Sequence, residues 1–159
     1  MTTELADTGL LISAFGEDEA GKLYLAHHGG QGAIYLISAS PSQRDLTGQI
    51  GQLTKIPKGV KDKLAFVITV QNVGDLPITV KSQVQVYLSA DDTLDVSDIL
   101  VFNRQVKTKQ LGPGGIVTTK GKASVASPSQ GQFLILKVDA DNMVVESDEG
   151  NNLFILQIP

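Results

Sequence analysis

From Lys61 to the end of the chain, apolar and polar residues alternate with a period of two. Thr79 to Leu88 shows it best: Val80, Val84, Val86 and Leu88 fall on one face, broken only by Ser82, while Lys81, Gln83 and Gln85 fall on the other. Such alternation predicts a half-buried antiparallel strand. Lys63–Val70, Ile99–Val106, Ile116–Val125, Gln132–Val138 and Leu153–Ile158 read the same way, and a first strand is predicted around Gln49–Ile56. Turn clusters separate them at Asn72-Val-Gly-Asp75, Ala90–Asp98, Leu111-Gly-Pro-Gly-Gly115 and Ser127-Pro-Ser-Gln-Gly131. About seven strands at this spacing predict an all-β, immunoglobulin-like β-sandwich.

The first forty residues have a different texture. Leu10–Phe15, Lys22–His28 and Ala33–Ser38 read as a short three-stranded β-meander, with turns at Gly16–Gly21 and Gly29–Gly32. The expected organisation is a meander over 1–41, a linker over 42–49 and the sandwich over 50–159. A lone meander exposes apolar surface and strand edges, so Leu11, Phe15, Leu23, Tyr24, Leu25, Ile34, Tyr35 and Leu36 call for a partner: the sandwich, another copy, or more of a longer protein.

With 42% hydrophobic residues the chain can fold around a core, and a net charge of −4 argues against nucleic-acid binding. It has no cysteine, which excludes disulfides, thiol catalysis and cysteine zinc sites. No apolar run is long enough to span a membrane. Met1–Asp7 carries two acids and no Lys or Arg, so no signal peptide is visible.

Two loops concentrate oxygen donors. The first holds Asp91, Asp92, Asp95 and Asp98; the second holds Asp139, Asp141, Asn142, Glu146, Asp148, Glu149 and Asn152. Calcium takes six to eight oxygen ligands, and these residue types supply them, although the spacing is not that of an EF-hand. The competing reading is solvated turns whose carboxylates bond their own backbone. Asn151 and Asn152 are expected to satisfy loop backbone groups, with Glu146 accepting from amides. If the strands run up and down in order, the loops lie at opposite ends, which predicts two separate sites or one completed by a neighbouring molecule.

Catalytic chemistry finds little support. Gly16–Lys22 has the glycine and lysine spacing of a phosphate loop, but Leu23 stands where Ser or Thr is needed and three carboxylates would repel a phosphate. Gly29–Gly32 has no following helix to make a dinucleotide site. His27 and His28 are adjacent on a strand, so they point to opposite faces and cannot share a metal without distortion. No catalytic and no organic-cofactor residues are expected.

Val70-Gln-Asn-Val-Gly74, Val86-Tyr-Leu-Ser-Ala-Asp-Asp92, Gly131-Gln-Phe-Leu134, Val138-Asp-Ala-Asp-Asn142 and Glu146-Ser-Asp-Glu-Gly-Asn-Asn152 occur in this order. On these segments the stretch from about Thr54 to Ile158 resembles the CARDB family, a bacterial cell-adhesion-related domain. That resemblance implies an immunoglobulin-like sandwich, a secreted or cell-surface context and no catalysis. Leu11–Tyr24 and Gly32–Leu36 are similar to the last blade of a glucose/sorbosone dehydrogenase β-propeller, whose catalytic residues lie on other blades.

The expectation is therefore a non-catalytic extracellular or cell-surface module for adhesion or assembly, stabilised by calcium. Its meander would mediate contact with further copies, as a homo-oligomer or filament, or with another surface protein. A carbohydrate ligand is a further option; nucleic acid and a membrane span are not expected. The alternative is the C-terminal fragment of a secreted, quinone-dependent sugar dehydrogenase with an accessory attachment or carbohydrate-binding domain.

Overall fold

A computed structural model describes residues 9–37 and 43–159. The N-terminal segment read for a signal peptide, Ser38 of the third meander strand, and the start of the expected linker lie outside the described residues. The chain divides into two compact units, Met1–Pro41 and Ser42–Pro159. Among the described residues there is no α-helix, only strands and one 3-10 turn.

In the first unit, β1 (Ile12–Glu17), β2 (Leu23–His27) and β3 (Ala33–Ile37) form an antiparallel sheet in the order β1-β2-β3. Phe15, Leu25 and Tyr35 are cross-strand neighbours on one face, and Leu23 pairs with Ile37 beside them. The alternate positions Tyr24, Ile34 and Leu36 occupy the other face. Leu25 is buried, whereas Phe15 (70% exposed) and Ile34 (76%) stand out from opposite faces. His27 meets the Tyr35 ring edge-on, 6.3 Å between centroids.

In the second unit, seven strands build two sheets. One is ordered β4-β5-β8, from β4 (Leu46–Lys58), β5 (Lys61–Asn72) and β8 (Ile116–Ala126). The other is ordered β10-β9-β6-β7, from β6 (Ser82–Ser89), β7 (Ile99–Val106), β9 (Phe133–Lys137) and β10 (Leu153–Gln157). The predicted all-β sandwich is what forms, and every pairing between its named strands is antiparallel. The first strand starts at Leu46, ahead of the expected Gln49, so part of the segment read as linker is strand. A bulge at Gln52, whose φ is 51°, resets its parity: Ile50 is buried in the core and Leu53 packs against it.

The sheets close on one core. Leu46, Leu64, Phe66, Ile68 and Val70 meet Val84, Val86, Leu134 and Leu136, all buried in a single cluster. Each strand turns its alternate residues inward, as the period predicted. Ser82, the polar break in the apolar face of β6, is buried too; its amide donates to the Thr108 hydroxyl (2.8 Å), which donates to the Val80 carbonyl (2.9 Å).

Asp62 also faces inward. Its carboxylate accepts from the Ser129 hydroxyl (2.6 Å) and the Ser129 amide (2.9 Å), tying the β8–β9 loop to β5. These bonds, the hydroxyl's first, hold its pKa below the usual carboxylate value against the opposing effect of burial. A depressed folded-state pKa adds stability above the unfolded value, near 4, that is lost as pH falls through the folded value. Asp62→Asn is therefore expected to flatten the loss of stability in acid. Urea unfolding from pH 6 down to 2 measures it, and an unchanged pH slope would remove Asp62 from the account.

Candidate cation site in the acidic loop

The loop between β9 and β10 is built around Asp139 and Asn152. Asp139 follows the last residues of β9 with a left-handed φ of 45°, and Asn142 repeats that conformation at 51°, so the chain doubles back tightly. The Asn142 amide donates to the Asp139 carbonyl (2.8 Å), and the Val144 amide donates to Asp139 Oδ2 (2.8 Å). Asp139 is 2% exposed, and its Oδ1 is buried without a hydrogen-bond partner. At the other end of the loop a 3-10 turn spans Glu149–Asn152, capped by Asp148, whose Oδ1 accepts from the Gly150 amide (2.8 Å).

Asn152, 5% exposed, joins the carboxylates. Its Nδ2 donates to Glu146 Oε1 (3.3 Å) and Glu149 Oε2 (3.2 Å), while its Oδ1 is buried and unpartnered. Glu146 Oε2 accepts from the Leu46 amide. Burial pushes the Glu146 carboxyl up to about 7 against the Leu46 and Asn152 bonds, and the charges of Asp139 and Glu149 add to the rise. Burial also raises Asp139, with Asp141 adding to it, although the Val144 and Met143 amides pull the other way.

These groups surround a cavity of about 310 Å³ lined by Asp139, Asn142, Glu149 and Asn152, with Lys137, Leu153 and Leu94 at its sides. The presence of Leu94 changes the expected geometry. By register, Ser89 pairs with Phe133 and Gln85 with Lys137, so the two acidic loops do leave opposite ends of β6. The 90–98 segment nevertheless folds back far enough for Leu94 to reach the cavity. Ile135 points away from the core, opposite Leu134 and Leu136, and is fully buried all the same.

Three carboxylates of that first loop, Asp91, Asp95 and Asp98, serve their own backbone. Asp91 Oδ1 accepts from the Thr93 amide (2.9 Å), Asp98 Oδ2 from the Asp95 amide (2.9 Å), and Asp95 Oδ1 from the Ser97 amide (2.7 Å) and hydroxyl (2.6 Å). The Ser97 hydroxyl, then its amide, lowers the Asp95 pKa. Neither Asp91, Asp92, Asp95 nor Asp98 lines the cavity. In the second loop Asp141 Oδ1 accepts from the Gln83 amide (3.3 Å). Among the described residues no three Asp, Glu or His side chains form a ready chelating group.

A residue outside the expected set also takes part. Asp45, in the segment read as linker, accepts from Asn151 Nδ2 (2.9 Å) and the Ser147 hydroxyl (2.8 Å). Arg44 forms a parallel bridge with Glu146, and its carbonyl accepts from the Ser147 amide (2.9 Å). The loop thus clamps the entry of the sandwich. Asn151 and Asn152 do it by donating to carboxylates, where the sequence suggested backbone partners.

The donor set suits a hard cation: two buried oxygens, Asp139 Oδ1 and Asn152 Oδ1, have no hydrogen-bond donor, and negative charge gathers around them. A CARDB family model matches residues 43–155. The chain belongs to the CARDB family. CARDB domains are immunoglobulin-like and non-catalytic as a family. Among solved structures, the chain is similar to a CARDB domain from Pyrococcus furiosus crystallised in complex with di-metal ions. The two are 22% identical with a TM-score of 0.53, over 75% of this chain and 96% of that one. That likeness concerns the fold. Two structures of β-glucosidase 3B from Thermotoga neapolitana, with glucose and with glycerol, give 14% and 13% identity. They cover 76% and 77% of this chain but 16% and 17% of theirs, at TM-scores of 0.36, too low to carry weight. No curated protein matches the chain. No helix among the described residues is long and apolar enough to cross a membrane.

Proposed function

We propose that this CARDB protein is a non-catalytic, extracellular or cell-surface module for assembly, in which the meander joins one copy to the next and a cation stiffens the acidic loop of the sandwich. The observation that carries the assembly reading is the meander's two-sided exposure. Phe15, Leu23, Tyr35 and Ile37 stand open on one face and Ile34 and Leu36 on the other. A sheet apolar on both faces is suited to an inner layer, covered from both sides. Its outer strands β1 and β3 also have unpaired edges among the described residues. A second copy supplies matching sheets, and because the two faces differ, the contact is heterologous and can propagate into a ring or filament.

The cation reading is supported by the two unpartnered buried oxygens, and the metal-bound relative from Pyrococcus furiosus is consistent with it. Calcium is the cation the oxygen donors favour. The ligand set favoured by the geometry is Asp139 and Asn152, with Asn142 and Glu149 at the cavity wall and water completing the shell.

Light scattering on the full chain tests the assembly. The protein is expected as an oligomer, and Phe15→Ser with Ile34→Ser, one change per face, is expected to reduce it to monomers with an unchanged circular dichroism spectrum. A monomeric wild-type chain at high micromolar concentration would overturn the reading.

A further inference from the structure

The β4-β5-β8 sheet turns its other face to solvent, and its register arranges lysines there in file. Lys58 pairs with Lys61 in one row, and Lys63 occupies the next outward row. The third row holds Lys122, paired with Ala65, and the fourth holds Lys120, paired with Val67. All five side chains are exposed, alternating on β5 and β8 with the buried Asp62, Leu64, Gly121 and Ala123. With rows about 6.7 Å apart and strands about 4.8 Å apart, the file crosses the sheet diagonally over roughly 22 Å.

No outward position among these rows is acidic; the neighbours are Thr, Ser, Gln, Gly, Ala, Val and Ile. This occurs on a chain with 17 acidic residues against 13 basic ones. Edge protection explains lysines on β4 and β8, the outer strands of the sheet. It does not explain Lys61 and Lys63, which sit on the central strand. Like charges about 7 to 10 Å apart repel at low salt, and a bound polyanion would relieve that repulsion.

We propose that this face binds an acidic polysaccharide laid diagonally across Lys58, Lys61, Lys63, Lys122 and Lys120. A linear polymer with regularly repeated anions matches a linear file of cations. Lysine, a point charge on a flexible stem, accepts carboxylate or sulfate without demanding one orientation. Nucleic acid fits less well, since the face offers no aromatic ring for base stacking and no arginine fork for phosphate.

Binding of the full chain to heparin, as a sulfated probe, is measured by calorimetry in 50 mM and 200 mM salt beside neutral dextran and single-stranded DNA of equal length. Heparin is expected to bind in low salt, to weaken about tenfold or more in high salt as counterion release requires, and to exceed both other polymers. Lys61→Gln, Lys63→Gln and Lys122→Gln together are expected to weaken binding at least tenfold. Lys81→Gln, Lys107→Gln and Lys109→Gln, an equal charge change at exposed sites elsewhere, are expected to leave it within about twofold. Absence of heparin binding in low salt, equal losses in the two triple variants, or a preference for DNA would each overturn the proposal.

Discussion

Phe66→Ala is expected to destabilise the sandwich by about 3–5 kcal/mol, the range for emptying a buried aromatic site, which is a large share of the roughly 5–15 kcal/mol that holds an ordinary domain folded. Phe66 is buried at the centre of β5 and meets Phe102 of β7 edge to face, 5.7 Å between centroids at 79°. The ring therefore joins the two sheets. It also lies directly over Gly121 of β8, its cross-strand partner, where any Cβ would enter the ring. Gly121→Ala is accordingly expected to cost about 1–3 kcal/mol by overpacking, and to cost less in a Phe66→Leu background. Urea unfolding of the two single variants and the double variant forms the cycle. Simple additivity would mean that ring and glycine do not share the space as described.

The sandwich was legible because its code is local. Alternation on β5, β6 and β8 assigns each residue to a face, and burial follows that assignment from Leu64 through Val70 and from Val84 through Leu88. The candidate cation site was legible in residue type and less so in geometry. Asp139 and Asn152 stood among the expected ligands, but so did Asp91, Asp92, Asp95 and Asp98, and composition alone cannot distinguish a carboxylate that caps its own turn from one buried with an oxygen unpaired. Asp45 left no signal because its partners Ser147 and Asn151 lie about a hundred residues away in sequence. The inward reach of Leu94 was equally hidden. Strand parity fixes where a loop leaves a sheet and says nothing about where a nine-residue segment folds afterwards. The lysine file belongs to the same class: Lys61 and Lys63, or Lys120 and Lys122, are ordinary alternation on one strand, and they align only once the β5–β8 register is known.

Calcium is expected to raise the melting temperature of the sandwich, and a chelator to lower it. A ligand bound only by the native state adds about 2.7 kcal/mol at a hundred times its dissociation constant, which is about 10 °C for a unit of this size. Asp139→Asn separates the cation from the rest of the loop. The amide can still accept from the Val144 amide through its oxygen, so the turn keeps its hydrogen bond. It carries no charge, so the cost of burying a carboxylate disappears. The variant is therefore expected to be at least as stable as the wild type in chelator and indifferent to calcium, so that the two proteins exchange rank when the ion is added. The rival source of positive charge is Lys137, at the side of the same cavity. If its ammonium neutralises the cluster, Lys137→Gln destabilises the protein, and calcium leaves the wild type unchanged. The same scans, with metal analysis of the purified protein, decide between an ion held at Asp139 and Asn152 and a loop that needs none.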